Sequence, residues 1–395
     1  MVPMPGVPEM GEFVFRANPS FELLVFDRLS AAEKSALAPL ASDTDFYGVL
    51  RPGTSGLNLK SVNRDLALLF STLQTPGKMP AYVRTELGTA YEEFVTQLVL
   101  DQVLQVEYNG EFVCGAGAQH LFVPAEATHQ PTSRVSLLSQ QAVKHAQYLD
   151  IDDALMLGAR IYFYNRQPAS PQLMSEYATE TQVAQRLGVL KGTESGDRLT
   201  RKWSEVPADP ANAGWRIWKR KHKGKGKSGF AYKLYVSPRT EALFDAFSAA
   251  AETFGETGVQ QFKVGRDIYG MLRPDKLVAY FATQEQLRET AERLYARVGG
   301  MAAHGVPFTC ELHGDGLLSW GMDPPKKARV LAWQERQSWR LWVVNKLAAA
   351  LLAAKAQPSH SVEPWKFALQ RVRLDGIETN SWTPSPDIFR RVNET

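Results

Sequence analysis

Two lysines interrupt the apolar runs of neighbouring strand-like segments. Lys233 lies within Tyr-Lys-Leu-Tyr-Val (232–236), and Lys263 lies within Gln-Phe-Lys-Val (261–264). A lysine that is buried without a partner destabilises a fold strongly. The pair therefore predicts a sheet edge or cleft that presents ammonium groups to an anion. The alternative is that both lysines lie on the wet face of a half-buried antiparallel sheet.

Further cations and histidines follow in the same part of the chain. They are Arg239, Arg273, Lys276, His304 and His313. An arginine binds phosphate oxygens with two parallel hydrogen bonds, and a desolvated lysine beside other cations has a lowered pKa and can act as a base. A histidine or a protonated lysine could then protonate a leaving group.

This combination suits β-elimination of phosphate from phosphoserine or phosphothreonine without a cofactor. The expected catalytic residues are Lys233, Lys263 and His304. The expected phosphate-binding residues are Arg239, Arg273 and Lys276.

Several common site signatures are missing from the sequence. It contains no H-E-x-x-H, no Cys-x-x-Cys and no G-x-S-x-G motif, and its seven histidines are scattered. Gly226-Lys227-Ser228 ends like a phosphate-binding loop, but Lys221 stands where that motif needs its first glycine. We therefore expect no metal and no cofactor.

Composition limits the class of protein. A hydrophobic fraction of 44% and a charged fraction of 22% are ordinary for a globular protein, and 395 residues are enough for two or three domains. We find no run of about 18–20 apolar residues for a membrane helix and no secretory signal. Two cysteines suit a reducing compartment, so we expect a cytoplasmic protein.

The net charge of +3 conceals one basic loop. Seven Lys or Arg and no acid lie between Arg216 and Lys227, which leaves the rest of the chain at −4. Global charge therefore gives no reason to expect a nucleic-acid partner. The loop at 219–229 is expected to be a solvated hairpin tip, with a lid over an anionic substrate as the alternative.

Three helix-like runs and a hairpin follow one another in the first half. The helices are expected at 62–73, 81–87 and 91–104, and Asn109-Gly110 centres the hairpin at 106–113. This order indicates a winged-helix-like module over 62–114. Segment 91–104 has no Lys or Arg, so DNA binding is disfavoured relative to peptide docking or simple packing against the rest of the chain.

Together these patterns predict an α+β protein. We expect an extended arm at 1–20, a mainly helical domain with the winged-helix-like module at 21–200, and a mixed or antiparallel sheet covered by helices at 210–395. The sheet domain would contain the anion site.

The second half also resembles a known family. The order Tyr-Lys-Leu-Tyr-Val-Ser, Phe-Lys-Val, Arg-Pro-Asp-Lys-Leu-Val-Ala-Tyr-Phe and Pro-Phe-Thr resembles the type III secretion effector-like lyases of class V lanthipeptide and thioamitide pathways, over about 214–352. The resemblance implies an α+β domain that eliminates phosphate from a precursor peptide, with Lys263, Arg273 and Asp275 in its core. The chain departs from the family at 322–325 and 338–340, which leaves a non-catalytic relative open.

Three functions therefore remain at this point. The first is a lyase acting on a phosphorylated precursor peptide, in the biosynthesis of ribosomally made, post-translationally modified peptides (RiPPs). The second is a non-catalytic scaffold that binds a peptide or protein, and the third is a DNA-binding regulator. A lyase requires Lys233, Lys263 and Arg273 to converge on a concave site, a scaffold requires an exposed apolar patch, and a regulator requires basic charge on the 81–104 helices.

Overall fold

The computed structural model describes residues 9–38, 40–53, 57–123, 130–221, 231–324, 337–356 and 362–385. Residues 222–229 of the basic loop expected at 219–229 lie outside the described residues.

Two small antiparallel sheets and short helices form the N-terminal part. The first sheet has the order β5-β1-β6-β7 and the second the order β2-β3-β4. The strands are β1 (Val14–Ala17), β2 (Phe21–Val25), β3 (Phe46–Pro52), β4 (Lys60–Asn63), β5 (Gly77–Lys78), β6 (Leu104–Tyr108) and β7 (Glu111–Val113). The helices are α1 (Ala31–Leu37), α2 (Arg64–Thr72), α3 (Ala81–Leu87) and α4 (Tyr91–Leu100).

A helical segment connects this part to the main sheet. Its helices are α5 (Gln119–Phe122), α6 (Arg134–Ala146), α7 (Ala154–Tyr162), α8 (Pro171–Glu176), α9 (Glu180–Arg186) and α10 (Glu194–Lys202). Helix α7 ends at Tyr162, and its Ile161 is buried.

The largest sheet in the described part of the chain is antiparallel, with the order β13-β14-β10-β12-β11-β9-β8. Its strands are β8 (Trp203–Glu205), β9 (Trp215–Arg220), β10 (Tyr232–Val236), β11 (Gln261–Gly265), β12 (Leu277–Phe281), β13 (Cys310–Glu311) and β14 (Leu318–Met322). The remaining elements are α11 (Leu243–Glu256), α12 (Ile268–Met271), α13 (Gln284–Val298), α14 (Trp339–Ala356), α15 (Pro364–Arg373), β15 (Ile377–Glu378) and β16 (Thr383–Pro384).

The two faces of this sheet differ because side chains alternate along each strand. Leu234, Phe262 and Ala279 share one face, where they are buried in a core with residues of α11 and α13. Lys233 and Lys263 project from the opposite face. Register places Lys233 opposite Tyr280 and Lys263 opposite Val278 on the intervening strand β12.

The turn that joins β11 to β12 spans residues 266–276 and contains α12. Asp267 caps α12 by accepting a hydrogen bond of 2.7 Å from the Gly270 amide, and this short helix returns the chain towards β11. A Cβ atom added to Gly265 would lie 2.4 Å from the backbone of Gly270. The turn thus requires glycine, and it sets the position of the Arg273–Lys276 segment beside Lys263.

The α+β class expected from the sequence is confirmed. The three N-terminal helices and the following hairpin are present, and β1 inserts between β5 and β6. The winged-helix assignment and the domain boundaries stay predictions. A membrane-spanning segment would need a longer or more apolar helix than any among the described residues.

The close approach of Gly265 and Gly270 generates a stability prediction. Gly265→Ala should lower the free energy of unfolding by about 1–3 kcal/mol, because the new methyl group overlaps backbone atoms that cannot move independently. Gly77→Ala is the matched control, because no atom lies within 4 Å of its added Cβ. Urea unfolding followed by circular dichroism measures both, and equal effects would contradict the packing argument.

Candidate active site

A cavity of about 280 Å³ lies on the polar face of the main sheet. Strands β10, β11 and β12 supply most of its walls, and α7 and the segment before α14 complete it. Its lining residues are Tyr162, Lys233, Tyr235, Gln261, Lys263, Asp275, Val278, Tyr280, Asp323, Gln337 and Ser338.

Lys263 is the cation in this cavity that lacks an acid partner. It forms no hydrogen bond and no ion pair with any residue that the structure describes, and its Nζ atom lies 3.9 Å from the centre of the Trp215 ring. Burial lowers the pKa of Lys263 to about 8, and Arg273 and Lys233 act in the same direction against the opposing field of Asp275. A substantial fraction of this amine is therefore neutral near pH 8.

Lys233 differs from Lys263 because it has a carboxylate partner. Its ammonium group forms an ion pair with Asp323, and both side chains are largely shielded from solvent. Asp323 follows β14, the strand that pairs with β10 on the side away from β12. Lys233 thus lines the cavity as a charged, oriented donor.

Asp275 is buried between two arginines. Its Oδ1 atom accepts a hydrogen bond of 2.9 Å from Arg273, its Oδ2 atom lies 2.9 Å from Arg340 Nη1, and the Tyr162 hydroxyl donates to Oδ2 at 3.1 Å. Burial opposes ionisation, but the guanidinium groups of Arg340 and Arg273 outweigh it and hold the pKa of the Asp275 carboxyl well below its usual range. Asp275 is therefore a carboxylate at neutral pH.

Arg340 reaches this carboxylate from the first turn of α14. It is 1% exposed, and it donates hydrogen bonds to the carbonyl oxygens of Pro307 (3.0 Å) and Tyr162 (2.9 Å). Arg273 is held on its other side by the Trp215 ring, 4.7 Å from the guanidinium carbon. Lys263 and Arg273 consequently share one aromatic surface.

Tyr235 adds a phenol to the cavity. It lies two residues after Lys233 on the same face of β10, is 3% exposed, and its hydroxyl forms no hydrogen bond with the described residues. Burial raises the pKa of Tyr235 well above its usual value, although Arg340 opposes the shift. The phenol stays protonated and can donate.

Besides Arg273, three more of the six residues expected at the site do not line the cavity. Lys276 is fully buried, and its ammonium group donates to the Pro238 carbonyl (2.7 Å) and to Nδ1 of His304 (2.9 Å). Nε2 of His304 donates to the Asn165 carbonyl, so both ring nitrogens are engaged. Arg239 is exposed.

The pKa values of this second pair fit a structural role. Burial lowers the pKa of Lys276 to about 7 against the opposing fields of Glu241 and Asp275. Burial and the neighbouring Lys276 lower the pKa of His304 to about 3. His304 is therefore neutral at physiological pH, and its one N–H group is engaged with the Asn165 carbonyl. The sequence-based expectation that it protonates a leaving group receives no support from this geometry.

The structure therefore brings together part of the expected set. Lys233 and Lys263 line one cavity, and Arg273 lies behind Asp275, whereas His304, Lys276 and Arg239 lie elsewhere. Sequence reasoning missed Tyr162, Tyr235 and Tyr280 as lining residues. It noticed Asp323 and Arg340 only as departures from a family pattern, although Asp323 pairs with Lys233 and Arg340 with Asp275.

The charged groups around the cavity have a positive balance. The charged residues in or next to the cavity are the cations Lys233, Lys263, Arg273 and Arg340 and the carboxylates Asp275 and Asp323. When all amines are protonated, these four cations and two carboxylates leave two positive charges. Such a site attracts an anion with two negative charges. Among the described residues, no group of three or more His, Cys, Asp or Glu side chains is arranged to hold a metal ion.

Comparison with solved structures finds likenesses to bacterial effectors. An effector protein from Pseudomonas syringae pv. tomato has a TM-score of 0.40 and 13% identity, over 63% of this chain and 97% of that one. The type III effector/phosphothreonine lyase OspF from Shigella flexneri has a TM-score of 0.28 and 12% identity, over 43% and 97%. The phosphothreonine lyase SpvC, an effector protein from Salmonella, has a TM-score of 0.28 and 13% identity, over 52% and 98%.

At these scores the likenesses assign no activity to this chain. No protein-family model matches the sequence, and no curated protein matches it.

The buried ion pair between Arg340 and Asp275 generates a second prediction. Arg340→Met should lower the free energy of unfolding by about 3–5 kcal/mol, because it leaves the Asp275 carboxylate buried with one guanidinium fewer. The double variant Arg340→Met/Asp275→Asn should lose less free energy of unfolding than the sum of the losses in the two single variants. Arg293→Met, at a pair with Glu289 that is 56% exposed, is the surface control and should cost under about 1 kcal/mol.

Denaturant unfolding of the four proteins in this double-mutant cycle gives the coupling energy directly. Strict additivity would show that the two side chains do not interact in the folded protein.

Proposed function

We propose that this protein is a lyase that eliminates phosphate from phosphoserine or phosphothreonine in a peptide. The observation that carries the proposal is Lys263, an amine without an acid partner and with a lowered pKa, in a cavity that it shares with the cation Lys233. The precursor peptide of a RiPP pathway is the proposed substrate, on the sequence resemblance described above.

The chemical step needs a base and a stabilised leaving group. The neutral amine of Lys263 takes the proton from Cα of the phosphorylated residue, and the electron pair of that C–H bond forms the Cα=Cβ double bond. The bond between Cβ and the phosphate oxygen breaks, and the phosphate leaves with the bonding pair. The products are a dehydroamino acid residue and inorganic phosphate, and the reaction consumes neither an oxidant nor a reductant.

The charged groups of the cavity fit the leaving group. A phosphorylated side chain carries between one and two negative charges at pH 7. With Lys263 neutral, three cations and two carboxylates remain around the cavity, so the site still has a positive balance of one charge towards the phosphate. Lys233 is the side chain proposed to bind phosphate oxygens directly. Arg273 contributes through the electrostatic field, because it pairs with Asp275 and does not line the cavity.

Tyr235 replaces His304 as the proposed proton donor. Its protonated phenol lines the cavity next to Lys233, whereas His304 has both ring nitrogens engaged with protein groups. A phenol that donates to a phosphate oxygen stabilises the charge that develops as the ester bond breaks.

Size also favours a single residue as the occupant. About 280 Å³ is at the lower end of the range for small-molecule sites. The cavity accommodates one phosphorylated side chain with its backbone, and the rest of a peptide would lie outside it.

Substitution of Lys263 separates its charge from its basicity. Lys263→Arg keeps a positive charge but stays protonated, so phosphopeptide binding should change little while turnover falls by about 10²–10⁴-fold. Lys263→Ala should lose both binding and turnover. Mass spectrometry of a synthetic phosphothreonine peptide, read for loss of phosphoric acid, measures the reaction.

Lys366→Ala is the matched control, because Lys366 is about half exposed, pairs with Glu363 and does not line the Lys263 cavity. Full turnover in the Lys263→Arg protein would remove Lys263 as the base. A wild-type protein that binds the phosphopeptide without releasing phosphate would favour the scaffold function.

The pKa of Lys263 predicts the pH dependence. Because the base acts as the neutral amine, kcat/KM should rise with pH and level off above a midpoint near 8. The carboxylate of Asp275 raises the pKa of Lys263, so Asp275→Asn should move the midpoint to lower pH. The substrate phosphate ionises near pH 6. A midpoint near pH 6 that does not move in the Asp275→Asn protein would therefore report ionisation of the phosphate and not of Lys263.

A DNA-binding function has little support. Helix α4 carries Glu92 and Glu93 in its first turn and no basic residue, and α3 offers Arg84 alone. DNA recognition needs cations that face phosphates.

A further inference from the structure

A second and larger cavity lies in the N-terminal part of the protein. Its volume is about 750 Å³, and it is bounded by β3, β4, α2, α3 and α4. It shares no residue with the cavity that contains Lys263. We refer to it as the N-terminal groove.

Apolar side chains form the floor of this groove. Phe46, Leu66, Leu68, Tyr82 and Phe94 line it, and Leu68 and Tyr82 remain 55% and 37% exposed. An isolated exposed leucine needs no explanation, but several apolar side chains around one concave surface indicate a binding site.

Every ionised side chain that lines the groove is acidic. The four carboxylates belong to Asp43, Asp45, Asp65 and Glu86, and none of them forms an ion pair with a residue that the structure describes. The nearby guanidinium of Arg64 is directed to the Thr44 carbonyl. Burial and the field of Asp65 both raise the pKa of Tyr82. The Asp65 carboxylate is therefore close enough to act on a side chain of the apolar floor.

This chemistry selects the partner. An apolar floor with an uncompensated acidic rim complements a segment with apolar side chains on one side and Lys or Arg around them. It repels nucleic acid. A helix fits best, because side chains form the floor and a helix satisfies its own backbone groups.

We propose that the N-terminal groove binds a basic amphipathic helix of the peptide that carries the phosphorylated residue. The inference rests on the proposed function for the identity of that peptide. The Lys263 cavity holds one residue and offers little area for distinguishing one peptide from another. Binding energy from a remote segment would supply that discrimination.

Direct binding tests the groove without any chemistry. The probe is a dye-labelled peptide of about 18 residues with Leu at positions i, i+3, i+4 and i+7 and Lys elsewhere, long enough to form a helix. Fluorescence anisotropy with the full chain should show binding about tenfold tighter or more than to matched peptides with Glu for Lys or Ser for Leu.

Variants of the groove should change this preference. The double variant Asp65→Lys/Glu86→Lys should favour the Glu peptide over the Lys peptide, and Leu68→Ser should weaken binding of both. The matched controls are Asp152→Lys/Glu176→Lys, at exposed acids outside the groove, and Leu137→Ser, at a leucine that is 45% exposed on α6. Circular dichroism confirms that each variant is folded.

Turnover tests whether the bound segment belongs to the substrate. A phosphothreonine peptide joined to the Lys/Leu segment should have a lower KM than the same peptide alone, with kcat unchanged. Asp65→Lys/Glu86→Lys should abolish this gain and leave the turnover of the short peptide intact.

The outcomes separate the two proposals. If the Lys/Leu peptide does not bind, or if the remote control variants weaken its binding as much as the groove variants do, the groove is not a peptide-binding site. Binding to the groove without phosphate release from any peptide supports the groove and overturns the lyase. If phosphate is released but the added Lys/Leu segment does not lower the KM, the groove does not bind a segment of the substrate.

Discussion

A buried carboxylate between two guanidinium groups holds the candidate active site together. Asp275 comes from the turn before β12 and Arg340 from the first turn of α14, so their contact joins the sheet to the helices that cover its polar face. Arg340 also donates to carbonyl groups of Tyr162 and Pro307, which ties in two further segments. Removal of Arg340 would leave Asp275 buried with Arg273 as its remaining guanidinium partner, and removal of Asp275 would leave Arg340 buried without its carboxylate.

This arrangement has a consequence for Lys263. Burial lowers the pKa of Lys263, and Arg273 and Lys233 add to this effect, so the opposing field of Asp275 is outweighed. Lys263 rests on the Trp215 ring and has no carboxylate partner of its own among the described residues. Lys233, in contrast, is paired with the carboxylate of Asp323. Two lysines on one face thereby acquire different properties, one suited to bind an anion and one suited to accept a proton.

The two concave surfaces have opposite electrostatic character. The Lys263 cavity has a surplus of positive charge and is small, whereas the N-terminal groove is large, apolar and acidic. A peptide that carries a phosphate at one point and basic residues at another would complement both surfaces. Each surface also disfavours the part of the peptide that suits the other, which would help to set the direction of binding.

Local sequence determined the strands and the face on which the two lysines lie. Alternation along 232–236 and 261–264 places Lys233 and Lys263 opposite the apolar core, once the strands pair with β12 in the observed register. The surroundings of those lysines depended on tertiary structure, because Asp323 lies far from Lys233 in sequence and Trp215 lies far from Lys263. His304 is the opposite case. Its residue type suits acid–base chemistry, but it packs against Lys276 and Asn165 and does not line the cavity. Strand periodicity is a property of neighbouring residues, whereas the environment of a charge depends on which distant segments pack around it.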